Sequence, residues 1–413
     1  MAIASNTFSV SDLVAKAAVK SLRNSFILAS RCTSNVASTF GMNGFKGGDT
    51  VRIKLPPRYI SATGAAIQKN NTVNSTVPIT LVQRNIGIGA ITKDMTLSID
   101  SLMQFVDPIM AQLASDIDSD GFALYYKAQN LTTPGAYSAG SPAAWTGADL
   151  ATLRPFLDAK ARLREKGMPT DDRAYVAVTP AQSAGIVDGL KSLFQDATQV
   201  AEQYKRGLMG IAAGFQWLES QTMPTHTNGT RALGAGAAID GAQTGSSLLL
   251  KSVGNAVTIT RGDQFTVAGV YAINPLTRVA TNKLQVFTVQ TATTSSAGGA
   301  ATVSVVPAIN VTSPGQTVSA GAADSAAVLW MGAASASTEV ALAWHKDGMY
   351  VAFFDLDSNL PGAEAGKATD PTTGMTVRVA KQYNAETDEV VFRADVLYGF
   401  SVVRGELMSR VQG

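Results

Sequence analysis

The apolar positions between Leu97 and Gln129 recur three or four residues apart, which places them on one face of a helix. This face consists of Leu102, Val106, Ile109, Leu113, Ile117 and Leu124. Ser98 can cap the beginning of the helix, and Pro108 predicts a kink or a short lead-in helix before the main one. About twenty further residues would extend over roughly 30 Å. The pattern therefore predicts one long helix around which the other parts of the chain are arranged.

A strand pattern precedes this helix. The first limb has apolar residues at Val51, Ile53 and Leu55, the return limb has them at Val77, Ile79, Leu81, Ile86, Ile88 and Ile91, and Pro56-Pro57 interrupts the first limb. Two limbs of about twenty residues would span roughly 65 Å, whereas a compact chain of this length has a radius of gyration of about 22 Å. Because an isolated two-stranded ribbon is barely stable in water, we expect this one to lie on a neighbouring subunit; the alternative is that it folds back onto its own sheet.

A helix and a strand–helix pair follow the long helix. Residues 149–166 form a helical run that Gly167 ends. A short buried strand is predicted at Ala174–Val178, and Thr179 begins a capping box in which Pro180 loses no amide bond and Gln182 can bond back to the Thr179 amide. This helix is predicted to continue to about Phe194. Together these elements predict an α/β unit.

The composition then changes. Between Thr225 and Glu339 there are nine charged residues in 115. Strands are predicted at residues 256–260, 264–268, 283–291 and 301–306, separated by Gly, Asn, Pro or Ser clusters. This pattern predicts an inserted all-β barrel or sandwich. Longer strands at residues 349–355, 375–381 and 389–397 are expected to complete the α/β region.

Composition and charge narrow the range of functions that the chain could have. The chain has 413 residues, 46% of them apolar and only 15% charged, which favours two or three packing units with much surface facing other protein. Eleven Lys or Arg residues against Asp12 and Asp49 give residues 1–93 a net charge of +9, which leaves −7 for the other 320. The basic front is thus attracted to the acidic back of another copy or to nucleic acid. Another copy is favoured because no aromatic ladder accompanies the basic residues.

The candidate chemistry is sparse. His226 and His345 have no ligand or dyad spacing, and the single Cys32 is interpreted as a buried or half-buried thiol in a reducing compartment. The run from Asp116 through Asp118 to Asp120 resembles a calcium loop, but its twelfth position is a lysine, so solvated helix carboxylates are expected instead. We expect no catalytic, metal or cofactor site, no enzyme activity and no membrane span. The first twenty residues lack the apolar core of a signal peptide.

Two segments carry a resemblance. Residues 207–220, GLMGIAAGFQWLES, resemble the glycine-spaced turn and strand ending in Glu-Ser of tailed-phage major capsid proteins. Residues 393–411, RADVLYGFSVVRGELMSRV, resemble the terminal strand of those proteins, although Gly405 replaces a common Pro. The resemblance is closest to the coat proteins of short-tailed lambdoid Salmonella phages. It implies the Hong Kong-phage capsid fold: α+β, with an N-terminal arm, an extended β-hairpin loop, a long spine helix, an axial α/β domain and an inserted all-β barrel.

The resulting expectation is a major capsid protein of a tailed bacteriophage that forms an icosahedral shell around double-stranded DNA. The resemblance implies hexamers and pentamers, a scaffolding protein, a portal, and packaged DNA held without sequence specificity. The subunit would be made in the host bacterial cytoplasm and end in the virion. The alternative is a non-viral β-domain binding protein that forms a small oligomer. The expected divisions are 1–46 arm, 47–93 hairpin loop, 94–147 peripheral domain with the spine helix, 148–224 axial domain, 225–340 barrel and 341–413 return to both sheets.

Inter-subunit contacts are expected from the basic residues of the hairpin loop. These are Arg52, Lys54, Arg58 and Lys69. In this interpretation they lie over an acidic surface of the neighbouring subunit. Their charges would fix the register of the contact more than its affinity.

Overall fold

The computed structural model describes residues 10–34, 50–61, 63–64, 69, 75–91, 102–133, 153–189, 210–232, 236–312, 314–370 and 374–412. The predicted cap of the long helix at Ser98, the start of the 149–166 helix and the end of the helix near Phe194 lie outside these residues. The described residues combine helices and strands, so the expected α+β class is confirmed.

The α-helices are α1 (Val10–Ser25), α2 (Leu102–Phe122), α3 (Arg154–Glu165) and α4 (Pro180–Gly189). Short 3-10 helices occupy Ala29–Arg31, Ala123–Lys127, Lys346–Gly348 and Gly405–Leu407. The strands before residue 250 are β1 (Thr50–Lys54), β2 (Thr76–Thr80), β3 (Val82–Ile91), β4 (Asn130–Thr132), β5 (Ala174–Val178), β6 (Ile211–Ala212), β7 (Phe215–Glu219), β8 (Thr225–Thr227), β9 (Ala238–Ile239) and β10 (Gly245–Lys251). The later strands are β11 (Thr258–Ile259), β12 (Gln264–Ile273), β13 (Ala280–Val289), β14 (Thr293–Thr294), β15 (Ala301–Ile309), β16 (Val328–Trp330), β17 (Ser337–His345), β18 (Met349–Phe354), β19 (Glu364–Thr369), β20 (Thr376–Asn384), β21 (Glu389–Val402) and β22 (Met408–Gln412).

The chain forms two compact units. The first contains Met1–Lys54, Thr76–Gly121 and Tyr350–Ser401. The second contains Leu55–Ser75, Phe122–Met349 and Val402–Gly413. The six expected domain divisions are finer than this and stay a prediction.

The first unit is built on a sheet in which β21 is the longest strand. The order is β18-β21-β20-β19, and β3 also pairs with β21. Helix α1 packs on β19 and β20 and buries Ala15, Ala18 and Leu22. Their three- and four-residue spacing is that of one helix face. Cys32 is buried just beyond this helix, as the sequence predicts.

The pairing of β3 differs from the predicted ribbon. β3 runs antiparallel to β21 from Val82 opposite Tyr398 to Ile91 opposite Glu389. The second half of the expected return limb is therefore a strand of its own unit's sheet, and the β1–β2 ribbon has only five residues in each strand. The alternation of apolar residues specifies a strand but does not specify its partner.

Two carboxylates of α2 are engaged rather than solvated. Asp118 is 2% exposed and accepts the backbone N–H groups of Ile27 at 2.6 Å and Ala29 at 3.1 Å. Asp120 accepts from Arg84 at 2.7 Å and from the hydroxyl of Tyr398. The expectation of solvated helix carboxylates is therefore wrong for Asp118, because the turn after α1 covers it. Burial raises the pKa of Asp118 to about 6, although its hydrogen bonds oppose the rise.

The second unit contains a mixed sheet of order β4-β22-β17-β5-β7-β6. β5 and β7 run parallel, and α3 packs with them through Phe156 and Leu163. The strands predicted at residues 349–355, 375–381 and 389–397 were expected to complete this α/β region, but they lie in the sheet of β18, β20 and β21. The strands that join the α/β sheet are β17 and β22, and their mostly buried residues suit a central position.

The local signals of this unit are confirmed. The Thr179 hydroxyl accepts the Gln182 amide, and the Gln182 side chain accepts the Thr179 amide, each at 3.2 Å, so α4 begins with the expected capping box. Gly167 ends α3 at φ +84°, a conformation that costs glycine no steric strain. In the glycine-spaced segment, β6 and β7 form a hairpin whose turn residues Ala213 and Gly214 have φ values of +53° and +69°.

The β-rich segment forms a sheet of order β16-β12-β13-β15-β10-β9. The Ile239 amide donates to the Ala326 carbonyl and the Val328 amide to the Ala237 carbonyl, so the first and last strands meet and the sheet closes. Phe265 lies at the centre, with its ring 5.8 Å from that of Phe287 and 4.8 Å from that of Trp330.

Candidate assembly surface

The β1–β2 ribbon has one apolar face and one polar face. Val51 opposes Ile79 on one face, whereas Arg52 opposes Pro78 on the other. Ile79 is fully buried, and a Cβ built at Gly399 would lie 2.5 Å from its side chain, so only glycine on β21 allows this close contact. The ribbon is therefore packed on its own unit, which is the alternative that the sequence left open. This packing buries the apolar face of the ribbon within the chain, so a second subunit is not needed to cover it.

The four predicted contact residues differ in their surroundings. Arg52 and Lys54 lie on the exposed polar face of the ribbon, one residue apart. Lys69 is exposed. Arg58 instead forms an ion pair with Glu406 of the same chain, and its side chain is 32% exposed. The structure thus brings Arg52 and Lys54 together and places Arg58 in a cluster of the second unit.

Arg58 belongs to a predominantly positive region, which we call the basic surface. Its cations are Arg58, Arg162, Lys166, Arg278, Lys283 and Arg404, and its carboxylates are Glu165 and Glu406. Arg404 and Arg58 share Glu406, and Lys283 lies 2.6 Å from Glu165. Among the described residues of this region, six cations outnumber two carboxylates, and two of the cations, Arg162 and Lys166, are buried.

Lys166 shows the effect of this surplus. Its ammonium donates to the Gln285 side chain at 2.7 Å. Burial lowers its pKa to about 8, and although Glu406 opposes the change, Arg162 and Arg58 add to it. Lys166 therefore lies close enough to Arg58 and Arg162 for their positive charges to act on it.

The basic surface also has an exposed apolar part. Tyr59 is 60%, Leu276 76% and Val279 64% exposed. The guanidinium of Arg278 donates to the Tyr59 carbonyl at 2.8 Å and so ties the β12–β13 turn to the chain beside Arg58. The side chain of Leu276 lies 3.6 Å from a Cβ built at Gly167, the residue after Lys166.

The β12–β13 turn is ordered by its own hydrogen bonds. The Asn274 side chain accepts the amides of Leu276 at 2.8 Å and Thr277 at 3.3 Å, and the Arg278 amide donates to the Asn274 carbonyl at 2.7 Å. Arg278 itself has a φ of +59°, which is unusual for a residue with a side chain. The turn therefore holds Leu276 outward without help from a ligand.

Most of the basic surface could not be identified from the sequence. The only local signal was the segment 404–407, Arg-Gly-Glu-Leu, in the terminal motif, which contains Arg404 and Glu406. The contact of Arg58 with Glu406 joins residues 348 positions apart, and that of Lys166 with Gln285 joins residues 119 apart. No spacing rule predicts contacts over such separations.

A second polar cluster is buried around His226. Its Nε2 lies 3.3 Å from Asp263 Oδ1, and its Nδ1 lies 3.1 Å from the Tyr125 hydroxyl. Burial lowers the pKa of His226, and because a carboxylate only accepts, Nε2 carries the proton. Arg231 lies 3.3 Å from the Asp263 carboxylate, and Arg410 donates to the Gly262 carbonyl at 2.5 Å.

This cluster fixes structure. Burial alone would raise the pKa of Asp263, but the hydrogen bond to His226 and the charge of Arg231 lower it. Asp263 also accepts the Thr260 amide at 2.9 Å. The described residues include no group of three or more His, Cys, Asp or Glu side chains that could hold a metal ion.

Comparison with known proteins identifies the family. Residues 1–410 match the model of a protein family described as P22 coat protein, gene protein 5. The chain belongs to this coat-protein family. It is a phage major capsid protein, and such a protein acts in a shell of many subunits. The alternative of a small-oligomer binding protein is not supported.

Solved structures show weaker likenesses to this coat protein. A chain of Mycobacterium phage Che8 is 12% identical, with 94% of the coat protein and 90% of that chain covered and a TM-score of 0.46. The capsid of Cyanophage P-SCSP1u gives 12% identity, coverages of 94% and 87% and a TM-score of 0.44. A virus-like particle from Pyrococcus furiosus is 8% identical, with 97% of each chain covered and a TM-score of 0.38. With scores below 0.5, these likenesses add nothing to the assignment. A search of curated proteins found no match.

No helix in the described part of the chain is long and apolar enough to cross a membrane.

Proposed function

We propose that the coat protein assembles through hexamers and pentamers into an icosahedral shell around double-stranded DNA, with Arg52, Lys54, Arg58 and Lys69 in contacts between subunits. The exposed polar face of the ribbon supports this proposal. Arg52 and Lys54 are not needed to pack the ribbon, because Ile53 and Ile79 on its other face do that. Both positive charges project from the same exposed face of one strand, so an acidic partner would complement them.

The remaining parts of the proposal follow from the family. A scaffolding protein and a portal take part in assembly, and packaged DNA meets the inner face without sequence specificity. The subunit is made in the host bacterial cytoplasm and acts in the virion. It catalyses no reaction; its contacts are individually modest, and the sum over many copies makes the shell durable.

Charge reversal on the ribbon tests the central point. The Arg52→Glu/Lys54→Glu variant should retain the circular dichroism and unfolding transition of the free subunit, because both side chains are exposed. Shell yield in sedimentation should fall about tenfold or more, because like charges across a contact cost several kcal/mol. A matched control is Arg154→Glu/Arg173→Glu, which makes the same charge change at side chains that are 79% and 63% exposed.

The outcomes separate clearly. Normal shells from the ribbon variant would refute the role of Arg52 and Lys54. Equal losses in the ribbon variant and the control would assign the effect to net charge rather than to the ribbon. If the unaltered coat protein gave only a small oligomer in the presence of its assembly partners, the shell itself would be refuted.

A further inference from the structure

The basic surface combines features that a lone subunit does not need. Leu276 and Val279 stand exposed on a turn that its own hydrogen bonds keep rigid. A rigid, exposed apolar group surrounded by polar residues is typical of a contact site, because little conformational entropy is lost when it is covered. The surplus of positive charge around it favours an acidic partner.

The positive charge of Arg278 is a second feature that an acidic partner would complement. Its guanidinium bonds to the Tyr59 carbonyl, its Nε has no hydrogen-bond partner, and among the described residues no carboxylate forms an ion pair with it. Arg58 and Arg404 share the single carboxylate of Glu406. A partner that supplies carboxylates beside an apolar side chain would complement both properties of this surface.

One exposed segment of the same chain has that composition. Residues 383–391, the β20–β21 hairpin tip, include the acidic residues Glu386, Asp388 and Glu389. Tyr383 is 54% and Val391 38% exposed there. The tip is ordered, because the Glu386 amide donates to Asn384 Oδ1 at 3.0 Å and the Tyr383 hydroxyl donates to Asp388 at 3.0 Å.

Within the described part of the chain, the exposed carboxylate of Glu386 lacks the ion pair that some other exposed carboxylates have. Asp158, Asp324 and Asp355 each form an ion pair with a cation of the chain. Glu386 forms no ion pair among the described residues and is exposed. The tip is thus a negative, partly apolar counterpart to the positive, partly apolar basic surface.

We infer that the basic surface, through Leu276, Val279 and Arg278, binds the β20–β21 hairpin tip of a second copy of the chain. The inference rests on the proposed function, since it names the partner of a contact that assembly requires. Two different complementary surfaces on one chain make a heterologous contact, which is the kind that joins many copies into rings and closed arrays. The apolar groups supply affinity, and the opposite charges select the register.

Cysteine cross-linking tests the contact directly. Cys32 is the only cysteine in the sequence and is buried, so introduced cysteines react alone. Subunits carrying Leu276→Cys and subunits carrying Tyr383→Cys are assembled as an equal mixture and treated with a short bis-maleimide. A covalent dimer is expected from the mixed particles, and little or none is expected from particles of either variant alone. The matched control replaces Leu276→Cys with Val311→Cys, a barrel residue that is 42% exposed.

Each result has one meaning. Intact mixed particles without the dimer overturn the inference. A dimer from Leu276→Cys alone also overturns it, because the turn would then contact its own equivalent. Equal dimer yields from the Val311 control indicate non-specific proximity and overturn it as well. Absence of any particle from the unaltered chain would overturn the proposed function and this inference together.

Charge reversal provides a second, independent measurement. Glu386→Lys/Glu389→Lys should slow assembly about tenfold, because charges at the rim of a contact act mainly on the association rate. Asp107→Lys/Asp172→Lys makes the same charge change at two exposed positions and should have little effect. Light scattering during assembly measures both rates. Equal rates for the tip variant and the unaltered protein would contradict the contact.

Discussion

The two units use the same pair of residue types in opposite environments. In the first unit, Arg84 and Asp120 form an ion pair at 2.7 Å whose side chains are 39% and 36% exposed. In the second unit, Arg231 and Asp263 lie 3.3 Å apart and are both fully buried. Exposed pairs contribute little, because water already solvates both charges. A buried pair does not necessarily add stability, but the loss of one member leaves an uncompensated charge.

Asp118 completes the comparison. It is as buried as Asp263, but it accepts backbone N–H groups instead of forming an ion pair. Its pKa rises to about 6, whereas that of Asp263 falls. Burial therefore does not fix the direction of the pKa change; the partner does.

The largest effect is expected at Asp263. The Asp263→Ala variant would leave Arg231 buried without its counter-charge and remove the acceptor of His226. We expect a loss of about 3–5 kcal/mol in the free energy of unfolding. Urea unfolding of the free subunit, followed by Trp fluorescence, measures it. Trp330 lies beside Arg231, at 5.0 Å from the ring centre, and reports on this region.

Asp324→Ala is the matched control. Asp324 belongs to the same β-rich segment, but its side chain is 58% exposed and pairs with Lys251 on the surface. A much smaller change in the free energy of unfolding is expected, because the Asp324 carboxylate is exposed to solvent. Equal destabilisation by the two variants would show that burial of the pair is not what matters.

A pH effect of intermediate size is expected from Asp118. Its pKa is about 6 in the folded chain and 3.8 in the reference state, so the folded state binds more protons between these values. The free energy of unfolding should therefore fall as pH rises from about 4 to about 6, by at most roughly 3 kcal/mol.

Asp118→Asn removes the titration and should flatten this dependence. Amide hydrogen exchange at Ile27 and Ala29, which donate to Asp118, measures the change in local stability. The same pH slope in the variant and the unaltered protein would contradict the assignment. The charge of Arg31 also acts on Asp118 and opposes the rise in its pKa.

The smallest effect is expected at the exposed pair. Arg84→Met keeps the apolar stem and removes the guanidinium, and we expect a loss of about 0.5–1 kcal/mol that diminishes in high salt. A double-mutant cycle with Asp120→Asn isolates the pair from the Tyr398 hydrogen bond. If the coupling energy between Arg84 and Asp120 were as large as the loss of stability in Asp263→Ala, the exposed and the buried ion pair would not differ in their effect on stability.

The sequence predicted the features whose cause is local. The capping box at Thr179 and Gln182, the end of α3 at Gly167 and the β12 and β13 strands are determined by neighbouring residues. The candidate contact residues Arg52 and Lys54 were also evident from alternation with apolar residues. Arg58 was identified as basic, but its partner was not.

The remaining features depend on contacts that no local rule specifies. Asp118 resembled a solvated helix residue because its donors lie 91 and 89 residues away. The ribbon seemed to need a neighbour because Gly399, which admits Ile79, lies far along the chain. The basic surface is formed from four separate segments of the chain. The net charge of any one segment therefore does not predict the surplus of positive charge.

The pairing of β3 with β21 has a consequence during synthesis. Arg84 and Tyr398, which contact each other across these strands, are 314 residues apart in the chain. At a typical elongation rate of 5–20 residues per second, β3 leaves the ribosome roughly 15–60 s before its partner exists. During this time its backbone groups are an open template for another chain. A nascent coat protein therefore needs protection against aggregation before the sheet that contains β3 can form.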